Sequence, residues 1–183
     1  MKRLDSKFSK ILGANKGATA VEFALLAAPF MFLIFALIEI MLVFFMQTTL
    51  ESAVAIEARK IRTGQAQSSS NPITQTQFKT NICNRLFGMA DCGTRLFVSV
   101  EDFPTPPANI TNQWSDGNLV VGSSNDEPYQ NSASGDMVIV KAYYVWPLFT
   151  PGISTALGNF SGGSFGSNNR ILVATAAFRN EPF

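Results

Sequence analysis

The sequence predicts an α+β protein in which a long N-terminal transmembrane helix continues into a small head with a short antiparallel sheet. Three observations predict this fold class. Residues 18–46 form a long apolar run in which only Glu22 and Glu39 are charged, and roughly 20 apolar residues suffice to cross a bilayer. A helical pattern continues through residues 47–62, and segments with the composition of β-strands follow later in the chain.

A basic leader, residues 1–17, precedes the apolar run. It carries one acid, Asp5, and the basic residues Lys2, Arg3, Lys7, Lys10 and Lys16. Positive charge next to a span stays cytoplasmic, so we expect the leader inside and the C-terminal part outside. The apolar run is too long for an ordinary secretory signal peptide, and no clear cleavage site with small residues follows it. The pattern therefore predicts a single-pass membrane protein.

The long helix is predicted to cover residues 18–63, with the membrane span at about 23–46 and an amphipathic continuation beyond it. One face of the continuation is formed by small and apolar side chains, namely Leu50, Ala53, Val54, Ala58 and Ile61. The charged residues, Glu57 among them, are expected on the remaining surface. The apolar stripe requires a cover, which the head can supply.

Two residues within the apolar run are unusual. Pro29 removes one backbone hydrogen bond and should kink the helix or melt it locally, either as a common transmembrane proline or as a hinge. Glu39 falls near the outer end of the span. For its side chain, snorkelling towards the headgroups is favoured over contact with a neighbouring helix.

Residues 64–183 are predicted to form the α+β head. A second short helix is expected at residues 77–87, because apolar side chains recur there at helical spacing. Strands are predicted at residues 95–103, 136–146 and 170–178, which are rich in β-branched and aromatic residues. Residues 109–135 and 150–169 are expected to be long surface loops. Packing of the sheet on the outer half of the long helix would bury both apolar surfaces.

The composition gives little support to an enzyme. The chain contains no histidine, which removes Ser-His and Cys-His catalysis and most zinc sites. The acids of the head are scattered, and Asp126-Glu127 lacks the spacing of a calcium loop. We therefore expect no catalytic residue, no metal and no cofactor. A formal net charge of +1 also gives no basic excess for nucleic-acid binding.

Cys83 and Cys92 are the two cysteines of the chain. Both follow the span and are expected on its outer side, where an oxidising compartment favours a disulfide. A metal or redox pair is the alternative. It would need further ligands or a CxxC spacing, and neither is present.

The N-terminal residues resemble a known family. A basic leader, Gly17, Glu22 as the fifth residue after it, Phe23 and a long apolar helix resemble the processing site of a type IV prepilin. The wider stretch, residues 17–67, is similar to the N-terminal region of TadE-like proteins of tight-adherence (Flp-type) pilus systems. These proteins are described as minor pilins or pseudopilins. Residues 179–183 also resemble the ending of some members.

The resemblance implies cleavage between Gly17 and Ala18 by a prepilin peptidase of the bacterial inner membrane. Glu22 of one subunit would then neutralise the new Ala18 amine of its neighbour. The implied partners are the lipid bilayer, the peptidase, other pilins and inner-membrane assembly proteins, with the head in the periplasm. Phe23 stands where the major pilins have tyrosine, which favours an accessory subunit. An uncleaved assembly component of the same system, or a membrane-tethered envelope enzyme, are the alternatives.

Overall fold

The computed structural model describes residues 17–67, 72–107, 114–115, 118–119, 129–130, 132–150, 152–161 and 165–183. The predicted leader up to residue 16 and Asp126-Glu127 lie outside these residues. The described chain is a long N-terminal helix with a small α+β head on its outer half, so the predicted fold class is confirmed.

Helix α1 (Ala18–Arg62) contains 45 residues, a length of about 68 Å at 1.5 Å per residue. Pro29 lies inside the helix, which continues through it without interruption; the expected local melting is therefore not observed. The helix ends where Gly64 takes a φ of 74°, a left-handed conformation that glycine adopts without steric cost. Arg59, Lys60 and Arg62 lie in the last turn, where positive charge is favourable for the helix dipole.

Two short helices begin the head. Helix α2 (Gln75–Asn84) starts with a capping box between Thr74 and Gln77, which explains why it begins before the predicted residue 77. It ends at Asn84, before the predicted residue 87, because the chain tightens into turns: the N–H of Arg85 donates to the carbonyl of Ile82 and that of Leu86 to the carbonyl of Cys83. Helix α3 (Cys92–Arg95) leads directly into the sheet.

The three predicted strands are present, each within one or two residues of its predicted bounds. They are β1 (Leu96–Phe103), β4 (Met137–Pro147) and β5 (Asn169–Arg179), in the order β1-β4-β5 with both pairs antiparallel. The predicted loops contain small elements of their own. Strands β2 (Trp114–Ser115) and β3 (Asn118–Leu119) pair in the first loop, and helix α4 (Ile153–Leu157) lies in the second.

The main core lies between α1 and one face of the sheet. Alternate residues of a strand point to opposite faces, and the even-numbered strand residues face α1. The core includes the predicted helix stripe and strand residues such as Val100, Val140, Tyr144, Leu172 and Ala174. A smaller cluster covers the other face and is formed by Phe97, Tyr143, Val145, Phe160 and Ile171. The predicted burial of both apolar surfaces is confirmed.

The C-terminal residues bind to the end of α1. The backbone N–H of Glu181 donates to the carbonyl of Arg62 at 2.9 Å, and the two side chains form an ion pair at 3.2 Å. The Phe183 ring lies against Gly64, where a Cβ atom would be 2.4 Å from the ring. This contact requires a residue without a side chain at position 64.

Candidate functional site

The first half of α1 is exposed on all sides. No residue between Gly17 and Ile38 is buried, although the helix has a window of mean hydropathy 2.5. Its exposed apolar side chains include Phe23, Leu25, Leu26, Phe30 and Leu33. From Ala18 to Ile38 the helix is about 31 Å long at 1.5 Å per residue, close to the roughly 30 Å of a bilayer's hydrocarbon core. The helix thus has the length and composition to cross a membrane.

The residues predicted for processing and assembly lie at the free end of this helix. Gly17 immediately precedes the first helical residue, Ala18, and no described atom lies within 4 Å of a Cβ placed on Gly17. Glu22 and Phe23 are exposed. Glu22 is one turn above Ala18 on the same side of the helix, because residues four apart share a face. Within the described chain, no hydrogen bond or ion pair satisfies the Glu22 carboxylate.

Glu39 differs from its predicted role. Its side chain does not snorkel, since only 5% of the residue is exposed. Instead the carboxylate accepts the backbone N–H groups of Phe149 and Thr150, the latter at 3.0 Å. These residues belong to the base loop, which we define as residues 148–150 and 152 after β4. Glu39 therefore holds the lowest part of the head on the apolar helix.

The base loop and α1 together form a groove of about 410 Å³. Its lining is almost wholly apolar and consists of Phe32, Phe35, Ile38, Glu39, Leu42, Trp146, Phe149 and Thr150. Phe149 is 74% exposed. The indole N–H of Trp146 is buried and has no acceptor among the described residues.

Glu57 also differs from the prediction, which placed it on the polar surface of α1. Its side chain is fully buried and pairs with Lys60 Nζ at 2.8 Å and Arg85 Nε at 3.0 Å. Arg85 follows α2, so this buried carboxylate ties α1 to the beginning of the head. Nothing in the helical pattern of residues 47–62 indicates this contact, because Arg85 is distant in sequence.

A disulfide between Cys83 and Cys92 joins α2 to α3, as predicted, with the two Cα atoms 6.0 Å apart. Between the cysteines, the ring of Phe87 stacks on Phe45 of α1 at 6.4 Å between centroids. The backbone N–H of Asp91 donates to the Tyr144 hydroxyl at 3.0 Å. Burial raises the pKa of Tyr144 above its usual value. The disulfide thus closes a loop that is attached to both α1 and the sheet.

The described residues bring no catalytic or metal-binding constellation together. Among them, no group of three or more His, Cys, Asp or Glu residues could hold a metal ion. Glu39 and Glu57 are engaged by backbone and cationic partners, as described above. The features that remain without protein partners are the exposed apolar helix, its unpaired Glu22 and the apolar base of the head.

Residues 17–59 match the family model described as TadE-like protein. The resemblance seen in the sequence is therefore confirmed over this segment, which includes Gly17, Ala18, Glu22 and Phe23. The match indicates a component related to tight-adherence pilus systems. It ends within α1, before the head begins. No curated protein and no solved structure matches the chain.

Proposed function

We propose that the chain is a minor pilin or pseudopilin of a tight-adherence pilus system. It is made as a membrane-anchored precursor in the bacterial inner membrane, and a prepilin peptidase cleaves it between Gly17 and Ala18. The cytoplasmic leader is removed, while the head lies in the periplasm. Other pilins and inner-membrane assembly proteins are its partners. The role is structural and needs no catalytic residue.

The observation that carries this proposal is the unpaired Glu22 on a fully exposed apolar helix. A carboxylate in apolar surroundings is costly and is usually retained for function, with a specific partner. The described chain supplies no such partner, since Glu22 makes no ion pair or hydrogen bond in it. The partner must therefore come from outside the described residues.

Cleavage after Gly17 would supply the missing charge. It creates an α-amine at Ala18, and in a filament this amine from one subunit can lie beside Glu22 of its neighbour. Removing one partner from a buried ion pair leaves an uncompensated charge, at a cost of about 3–5 kcal/mol. Glu22 thus favours a staggered register between neighbouring helices, because this register brings the amine and the carboxylate together. The exposed apolar surface of residues 18–38 supplies the packing.

Substitution of Glu22 by alanine tests the proposal. The change makes the helix more compatible with lipid, by less than the roughly 2.5–3.5 kcal/mol that insertion scales assign to a charge at the centre of a span, so membrane insertion should be unaffected or improved. Pilus production and co-purification with other pilins should be lost in a strain that carries only this variant. Glu51→Ala is the control, since Glu51 is an exposed carboxylate of the same helix outside the apolar segment.

The opposite result would favour the alternative role. Normal piliation and normal co-purification with Glu22→Ala would mean that Glu22 is not a docking charge. An uncleaved single-span assembly component would then explain the apolar helix better than a pilin does.

A further inference from the structure

A long segment of the head carries no charge. Between Lys141 and Arg170, residues 142–169 contain no Asp, Glu, Lys or Arg. Most of the aromatic residues of this segment are buried in the head, namely Tyr143, Tyr144, Trp146 and Phe160, whereas Phe149 is exposed. An exposed aromatic residue in a segment without charge is typical of the boundary between membrane and water.

The structure places part of this segment beside the apolar half of α1. The base loop is bonded to Glu39 through Phe149 and Thr150. It also extends towards the N-terminus, because a Cβ on Gly152 would lie 3.9 Å from the ring of Phe32. Glu39 is about 32 Å along the helix from Ala18 at 1.5 Å per residue, which is the depth of the hydrocarbon core. The base loop therefore lies at the outer boundary of the bilayer when Ala18 marks the inner boundary, and inside the hydrocarbon core when the predicted start of the span, Phe23, marks it.

We propose that the base loop is a second membrane contact, which rests on the outer leaflet with the Phe149 side chain inserted among the lipid acyl chains. This inference rests on the membrane anchoring contained in the proposed function. A lipid acyl chain occupies the groove between Phe35, Leu42 and Phe149. The head is thereby held at a fixed height and orientation relative to the membrane before any assembly step.

The hydrogen bonds of Glu39 favour lipid over water as the environment of the base loop. Non-helical backbone at membrane depth is tolerated only where the protein satisfies its polar groups, because lipid offers no hydrogen-bond partners. Here the Glu39 carboxylate accepts hydrogen bonds from the N–H groups of Phe149 and Thr150. A loop that faced water would not require an acid within an apolar helix for this purpose. The exposure of Phe149, at 74%, leaves its ring free to enter the lipid.

A fluorescent label at position 149 tests the inference in the full chain. The described cysteines are joined in a disulfide, so Phe149→Cys offers a single thiol for an environment-sensitive nitrobenzoxadiazole label. The labelled protein is reconstituted in phosphatidylethanolamine–phosphatidylglycerol vesicles that carry nitroxide lipids, either near the headgroup or deep in the acyl chain. Leu26→Cys reports the middle of the span. Ser134→Cys reports the far end of the head, where Ser134 bonds to Glu181.

We expect the label at position 149 to be quenched most by the shallow nitroxide and to be severalfold less accessible to aqueous iodide than the label at position 134. The label at position 26 should be quenched most by the deep nitroxide. Circular dichroism confirms that each labelled variant keeps the fold.

Each other outcome overturns the inference in a recognisable way. Lipid quenching at position 26 without quenching at position 149 would refute the membrane contact and leave the anchor intact. Absence of lipid quenching at position 26 would refute the anchor itself, and with it the proposed function. Shielding of position 149 that depends on protein concentration, without lipid quenching, would show that a second copy of the chain covers this surface.

Discussion

The carboxylate of Glu39 accepts the backbone N–H of Phe149, a residue 110 positions farther along the chain. Thr150 donates to the same carboxylate, so an acid within an apolar helix completes the hydrogen bonding of a loop of the head. The contact defines where the head ends and the freely exposed helix begins. Above Glu39 the helix packs on the sheet, and below it Phe32 and Phe35 line a groove with Trp146 and the base loop.

The first prediction concerns this contact. Glu39→Ala should release the base loop, because two backbone N–H groups lose their acceptor at about 1–3 kcal/mol each. Hydrogen–deuterium exchange of detergent-solubilised protein should be faster in the peptide that contains Phe149 and Thr150. Glu51→Ala, at an exposed position of the same helix, should leave that peptide unchanged. Equal exchange in wild type and Glu39→Ala would contradict the role assigned to Glu39.

The second prediction concerns the buried carboxylate of Glu57. Glu57→Gln should destabilise the head by about 1.5–3 kcal/mol, because charge-assisted hydrogen bonds to Lys60 and Arg85 are lost, while these two cations are partly exposed and remain solvated. The change is measured by denaturant unfolding followed by near-UV circular dichroism. In a double-mutant cycle with Arg85→Gln, the double variant should lose less stability than the sum of the two single variants. A loss no larger than that of Glu51→Gln would mean that the ion pair contributes little.

The third prediction compares two glycines with similar backbone angles. Gly64 and Gly88 have φ angles of 74° and 70°, but only Gly64 has a ring, that of Phe183, where a Cβ would lie. Gly88→Ala should reduce stability by about 1–2 kcal/mol, which is the cost of holding a residue with a Cβ in the left-handed conformation. Gly64→Ala should cost more, and the extra loss should disappear when Phe183→Ala is also present. Equal melting temperatures for the two single variants would refute the proposed packing of Phe183.

The fourth prediction concerns the disulfide. Replacement of Cys83 and Cys92 by serine should destabilise the head by about 2–3 kcal/mol, because the short closed loop no longer restricts the unfolded chain. Thermal unfolding of the wild type and the double variant measures the difference. Mass analysis of protein from the envelope, with and without reduction, should show a gain of two hydrogen atoms on reduction in the wild type only. Free thiols at both positions would contradict the bond.

Much of the fold could be predicted from the sequence because its signals are local. The helix follows from apolar length and then from the spacing of Leu50, Val54 and Ile61, and the strands follow from their β-branched and aromatic composition. The strand order β1-β4-β5 is not contained in any local pattern, and the structure supplies it. The disulfide follows from the presence of two cysteines on the same side of the span.

The roles of Glu39 and Glu57 could not be predicted in the same way. Helical spacing indicates the direction in which each side chain points, but not what another part of the chain brings to it. Glu39 is bonded by a loop more than a hundred residues away, and Glu57 by Arg85, 28 residues away. In both cases the sequence shows the charge of the carboxylate but not the group that binds it. The partners, which are backbone N–H groups for Glu39 and two cations for Glu57, determine the role of each carboxylate.

The position of the mature N-terminus shows whether the chain is processed as a prepilin. Intact mass and N-terminal sequencing of protein extracted from membranes that contain the prepilin peptidase should give a chain that starts at Ala18. Gly17→Leu should leave only the precursor, because a bulky side chain replaces the residue before the cut. Gly13→Leu, a change at the other leader glycine, should be processed normally. A wild-type chain that retains its leader, or a mature-size product from Gly17→Leu, would contradict the account.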